Sequence, residues 1–197
     1  DGTNDWYSIS GTDTGYADFD FNGTQSFSIS AWVKQDSSAP SNSQTIFANR
    51  DGASPYHGYQ LASHQDPNTH RFFFEMTGAS GTSIIYGHPT VLAWIHITAT
   101  ISQPGGNIQF YENGVVTNST SGASIAVTGA PTYASAPSIG YRDAGNTDPW
   151  DGNISQVCVW NKVLTASEVK AVYELGLGGN WLTTYSSGMV GYYNFNI

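Results

Sequence analysis

Apolar and polar residues alternate along most of this chain with a period of two. Phe27, Ile29, Ala31 and Val33 interleave with Ser28, Ser30, Trp32 and Lys34, which turns one set of side chains inward and the other outward and predicts a half-buried β-strand. Trp94 to Ile101 and Asn107 to Glu112 repeat the pattern, and Asn113-Gly114 then leads into Val115-Val116. Asn-Gly accepts the positive φ angles of a tight type I′ turn, and Pro104-Gly105-Gly106 supplies the preceding reversal, so three successive antiparallel strands follow from turn chemistry. Further runs at Thr45 to Ala48, Tyr59 to Ala62, Arg71 to Met76, Ser83 to Tyr86, Ser138 to Tyr141 and Gly152 to Trp160 are separated by Gly, Pro, Asn and Asp clusters. A series of about a dozen short strands of this kind predicts an all-β fold, a sandwich of two antiparallel sheets.

One helix interrupts the alternation. Thr165-Ala166-Ser167-Glu168 has the spacing of a capping box, Val169, Val172 and Tyr173 recur at helical spacing, and Gly176 is a stop signal. This short helix is expected to flank or plug the sandwich in a structural role. Met189 to Phe195 alternates again and reads as a final strand that pairs with an early one and closes a sheet.

The 197 residues suffice for one full-sized core, so residues 1–197 are read as a single domain. The net charge of −9 comes from only 21 charged side chains, and the six basic ones are scattered. That argues against a nucleic-acid partner, which needs clustered Lys and Arg. No membrane-spanning run is present, so no membrane insertion is expected. The surface left by this composition is rich in hydroxyls and amides and suits an extracellular protein meeting neutral ligands or divalent cations. The first residue is Asp rather than Met, consistent with a processed chain or an excised domain. Cys158 is the sole cysteine, so no intrachain disulfide forms, and its apolar setting predicts a buried, inert thiol.

Six segments in order carry a family resemblance: Asp1-Gly2-Thr3-Asn4-Asp5-Trp6, Phe27 to Lys34, Trp94-Ile95-His96-Ile97, Ile108 to Gly114, Asp151-Gly152-Asn153-Ile154 and Trp160 to Thr165. Together they resemble the laminin-G-like, pentraxin-like branch of the concanavalin A-like lectin/glucanase superfamily. The resemblance implies a jelly-roll sandwich, frequently with calcium, and a binding module more often than an enzyme. Two departures stand out. Many relatives carry Asp-Glu in the late strand where this chain has Ser155 and Gln156, which removes two carboxylates from the expected calcium site. The segment Met189 to Phe195 also ends the chain, whereas its counterpart often opens a family domain.

Candidate chemistry concentrates in three places. Asp1, Asn4 and Asp5 supply oxygen ligands at one turn, with Asn153 and Gln156 expected to face them, and the set reads either as a calcium site or as an ordinary Asx-capped turn. Asp143, Asp148 and Asp151 surround Trp150 in a loop that begins at Tyr141 and Arg142. Trp150 is placed either to stack on a sugar ring or to cover the edge of the core. Arg50 and Asp51 with Tyr56, His57 and Tyr59 form the third concentration, where Arg50 either forks onto a ligand carboxylate or pairs structurally with Asp51. His64 and His70 lack the spacing of a zinc site.

Catalysis finds little support in the residues. The Glu-x-Asp-x-x-Glu strand by which retaining glycoside hydrolases on this general fold resemble one another is missing, and Glu75, Glu112, Glu168 and Glu174 are isolated. Tyr59, His96, Arg71 and Gln60 are the right residue types for a polysaccharide lyase, but no motif joins them. The expected function is therefore a non-catalytic carbohydrate-binding or adhesion module, outside a cell or on a virion surface. The alternatives are a structural or protein-interaction domain that meets neighbouring domains, and an atypical lyase or hydrolase.

Overall fold

A computed structural model describes residues 6–9, 17–21, 23–36, 43–50, 57–66, 69–78, 81–89, 92–103, 107–117, 136–142 and 148–195. In chain order its strands are β1 (Tyr7–Ser8), β2 (Phe27–Gln35), β3 (Gln44–Arg50), β4 (Gly58–Asp66), β5 (Thr69–Gly78), β6 (Gly81–Pro89), β7 (Ile95–Ser102), β8 (Asn107–Glu112), β9 (Val115–Val116), β10 (Ser138–Ile139), β11 (Gly152–Trp160) and β12 (Met189–Tyr193). They form two six-stranded sheets, ordered β1-β10-β3-β4-β5-β6 and β12-β11-β2-β7-β8-β9, and every pairing is antiparallel. Helices α1 (Ala166–Glu174) and α2 (Trp181–Thr184) lie between β11 and β12 in the chain. The predicted two-sheet sandwich is the observed fold.

Alternation explains which residues meet between the sheets. Phe27, Ile29, Ala31 and Val33 of β2 pack with Ile97, Ala99 and Ile101 of β7 against Phe47, Tyr59, Leu61, Phe72 and Phe74 of the first sheet. The Asn113-Gly114 hairpin forms as expected, with φ of 49° and 78° at its two residues. A Cβ on Gly114 would stand 3.1 Å from Lys170 Cα, so glycine also lets the hairpin tip approach α1.

The central strands of the second sheet are buried on both faces, and here β2 departs from the half-buried expectation. Seven consecutive residues, Phe27 to Val33, are buried. The reason is the C-terminal segment, which covers the face that alternation assigned to solvent. Trp32, Tyr111, Cys158 and Trp160 of the sheet pack there with Leu164, Val169, Val172 and Trp181. The layer is pinned by polar side chains: Ser28 Oγ donates to the Lys162 carbonyl at 2.8 Å and accepts from the Leu164 N–H at 2.9 Å, and Trp160 Nε1 donates to the Tyr185 carbonyl at 2.9 Å. The capping box is present, the Glu168 N–H reaching Thr165 Oγ1 at 3.2 Å and the Thr165 N–H reaching Glu168 Oε2 at 2.7 Å. Helix α2 carries no apolar periodicity long enough to be read in advance.

The final strand also differs from expectation. β12 pairs with β11, setting Val157 opposite Tyr193, rather than with an early strand. It meets β1 through side chains instead, the Tyr7 ring lying 5.8 Å from Tyr193 and 6.0 Å from Phe195. This aromatic contact seals the side of the sandwich where the two sheet edges face each other. Among the described residues, no helix is long and apolar enough to cross a membrane.

His96 sits within the helix-covered layer, opposite Trp32 across the β2–β7 pair and in ring contact with Tyr173 and Trp181. Its imidazole is fully buried, and among the described residues neither nitrogen has a hydrogen-bond partner. Burial pushes its pKa down from 6.5 to about 3, because no partner compensates the desolvated cation. The folded protein therefore holds His96 neutral while the unfolded chain protonates below pH 6.5. The stability this confers is complete above pH 6.5 and is lost as the pH falls toward 3. We predict that lowering the pH from 7 to 4 costs about 3 kcal/mol of unfolding free energy through this residue. Urea denaturation of wild type and His96→Leu at both pH values checks it, the variant showing a smaller loss.

Candidate functional site

On the face of the first sheet turned away from the core, the register sets Ser138 opposite Ala48, Ala48 opposite Gln60 and Gln60 opposite Glu75. Arg50, two residues beyond Ala48 on β3, forks onto Glu75. Its Nη1 bonds Glu75 Oε2 and its Nη2 bonds Oε1 at 3.3 Å, while Gln60 Nε2 donates to Oε2 at 2.6 Å. Three strands are thus tied by one carboxylate. Gly58, opposite Arg50, holds φ at +122°, and a Cβ there would meet the Asn49 carbonyl at 2.1 Å. Only glycine lets β4 pass this close to β3. Arg50 is 7% exposed and Glu75 9%, so the pair is interior and its charges compensate each other out of contact with bulk water. Arg50 thus pairs with a residue 25 positions away, beyond the reach of local spacing, while Asp51, its expected partner, lies outside the described residues.

Two aromatic residues expected to contact ligand belong to the interior. Tyr59 is fully buried, 4.9 Å from the Phe27 ring, and its hydroxyl donates to the Phe19 carbonyl at 3.1 Å. Trp150 is 3% exposed and packs within the inter-sheet core, its backbone N–H donating to the Gly140 carbonyl at 2.9 Å. Of the two readings given for Trp150, covering the core is the one this position expresses. His57 is half-buried just before β4. Asp51, Tyr56 and Asp143 lie outside the described residues, as do Asp1, Asn4 and Asp5.

Asn153 and Gln156, the two described members of the calcium set, share no centre. Asn153 is exposed opposite Lys34. Gln156 is fully buried at a bulge in β11, with φ of 48°, and its amide donates to the Gly179 carbonyl at 2.9 Å. A ligand pair for one ion would have to converge, and these two side chains are committed to solvent and to the helix layer respectively.

Exposed aromatic side chains stand at the β1–β10 edge. Trp6 is 48% exposed and rests on Tyr141, with ring centroids 4.6 Å apart and planes inclined by 51°. Tyr141 is itself 5% exposed, so it supports Trp6 from beneath. The pairing of Tyr7 with Ile139 brings these two segments together, and Ser138 Oγ fixes the turn by donating to the Tyr141 carbonyl at 2.7 Å. The next residue, Arg142, pairs with Asp148 at 2.7 Å, both side chains partly open to solvent. Asp148 adopts φ of 54°, and its carbonyl accepts from the Thr45 N–H at 2.8 Å, which anchors the far end of the loop to β3. Of the predicted contact residues, Tyr141, Arg142 and Asp148 are therefore close in space. Trp6 was not among them. In the sequence it reads as the end of an acidic turn, and only an exposed indole beside a strand could have marked it. On the other side of β1, burial first and Tyr7 second push the Tyr193 phenol up to about 12, so it is no proton acceptor at neutral pH.

The geometry accords with the comparisons. A family model for the Concanavalin A-like lectin/glucanases superfamily matches residues 1–170. The chain belongs to that superfamily. No curated protein matches it in sequence. Among solved structures it is similar to the Ruminococcus gnavus IT-sialidase CBM40 bound to α2,3-sialyllactose, with 15% identity, a TM-score of 0.66, and coverage of 85% of this chain and 91% of that one. The heptameric SAP-like pentraxin of Limulus polyphemus gives 17% identity and a TM-score of 0.57 over 79% of this chain and 72% of that one. Domain 4 of an extracellular arabinanase from Geobacillus stearothermophilus, in complex with arabinotriose, gives 21% and 0.53 over 78% and 68%. At these identities the likeness is one of fold.

Breaking the Arg50–Glu75 pair should be costly, because removing one member leaves a buried uncompensated charge. Arg50→Met is expected to lower unfolding free energy by about 3–5 kcal/mol. Arg50→Met with Glu75→Leu is expected to lose less than either single change, read by urea denaturation of all four proteins.

Proposed function

We propose that the protein is a non-catalytic carbohydrate-binding module acting outside a cell or on a virion, with Trp6 as its principal contact. One observation carries this reading. The exposed indole of Trp6 is held on the buried Tyr141 ring beside a partly exposed ion pair, Arg142–Asp148. A rigid aromatic face next to convergent hydrogen-bonding groups is what a sugar ring requires, since the ring stacks its apolar C–H face while its hydroxyls find donors and acceptors. The fold and its carbohydrate-binding neighbours support the same reading. The Asp148 carboxylate is engaged by Arg142, which suits a binding platform.

A glycan array probed with wild type and Trp6→Ala tests the proposal. Loss of the stacking face is expected to weaken binding at least tenfold, about 1.4 kcal/mol. The melting temperature should hardly change, because Trp6 is half exposed. No signal from the wild type on a broad panel would instead favour a domain that contacts neighbouring domains. Calcium is proposed only for the segment holding Asp1, Asn4 and Asp5, and a chelator arm of the same array reads whether it contributes.

A further inference from the structure

We propose, resting on the function above, that the Trp6 platform selects neutral sugar rings and discriminates against those bearing a carboxylate. Arginine is the residue best suited to grip a sugar carboxylate, through its planar bidentate fork. Both arginines that the sequence placed among the contact residues are already held by the protein's own carboxylates. Arg142 pairs with Asp148 at 2.7 Å, and Arg50 forks onto Glu75, which also accepts from Gln60. A ligand carboxylate would have to displace one of these and then lie beside it, two like charges around one cation, with the displaced group desolvated and unpaired. The Arg50–Glu75 pair, being buried, resists exchange most strongly.

The wider field acts in the same direction. A net charge of −9 repels anions over the Debye length and leaves neutral ligands unaffected. Meanwhile the partly exposed Arg142–Asp148 pair presents donor and acceptor types suited to hydroxyl groups, its cation and anion compensating each other. Trp6 supplies the apolar face. The combination recognises a ring with hydroxyls and no ionised substituent.

The test compares neutral glycans with the same backbones carrying a sialic or uronic acid, for example lactose with 3′-sialyllactose and galactan oligomers with galacturonan oligomers. The wild type is expected to bind the neutral member of a pair at least tenfold more tightly. Asp148→Asn supplies the second arm, since asparagine tolerates the left-handed φ of 54° at this position while removing a carboxylate charge that pairs with Arg142. This variant is expected to shift the preference toward the acidic member by tenfold or more. Tighter binding of the acidic member by the wild type overturns the inference and leaves the carbohydrate-binding function standing. A preference unmoved by Asp148→Asn also overturns it, because the pair would then not be its source. Binding to no glycan at all overturns the function itself, and the inference with it.

Discussion

The two sheets are joined by a stack of aromatic rings, and the placement of nearly everything else follows from it. Phe27 of β2 lies 4.1 Å from Phe21 in nearly parallel stacking, 4.9 Å from Tyr59 of β4 and 6.0 Å from Phe74 of β5. Each pair of this kind adds about 0.5–1.5 kcal/mol beyond the area it buries. The rings come from both sheets, so they set the distance and orientation between them. The stack also carries its own polar lock. Tyr59 Oη and Asn49 Nδ2 both donate to the Phe19 carbonyl, at 3.1 and 3.0 Å, which holds the segment bearing Phe19 and Phe21 against the core. Tyr59 is thereby removed from any role at the surface.

A second constraint works outward from the first. With the inner face of the second sheet fixed by the aromatic stack, its outer face still carries Trp32, Tyr111, Cys158 and Trp160, too much apolar surface to leave in water. The C-terminal helices cover it, and the cover accounts for several features at once. It buries the Cys158 thiol, whose pKa burial raises, and it encloses His96 without a partner. It draws the Gln156 amide to the Gly179 carbonyl. The aromatic residues on the outer face of the second sheet are thus withdrawn from solvent, and exposed aromatic side chains are found at the edge of the first sheet.

At that edge the protein neutralises its own cations before any ligand arrives. Arg142 at that edge and Arg50 further along β3 each meet a carboxylate within the chain, and Trp6 is displayed beside Arg142 on its Tyr141 support. The resulting surface has apolar area and hydrogen-bonding capacity, with its Arg142 cation already matched by a carboxylate. Those properties connect the packing of the fold to the kind of ligand it suits.

Strand identity, the Asn113-Gly114 hairpin and the α1 capping box were legible in the chain because each depends on residues within a few positions of one another. Side-chain period, positive φ at glycine or asparagine, and a hydroxyl three residues from a glutamate are local facts that tertiary structure had no reason to overturn. The ordered landmarks likewise sufficed to name the superfamily. Local patterns did not show which outward-facing residues would be covered, and so the second burial of β2, the pairing of β12 with β11 and the interior positions of Tyr59 and Trp150 emerged only when the sheets were assembled. The same holds for the site. The sequence contained Arg50, Glu75, Trp6 and Tyr141, but the contacts that give each its role span 25 residues in one case and 135 in the other. Alternation determines which way a side chain points. Whether it then meets solvent, a ring or an opposite charge is decided by strands distant in sequence, because burial and pairing are properties of the packed interior and not of the chain.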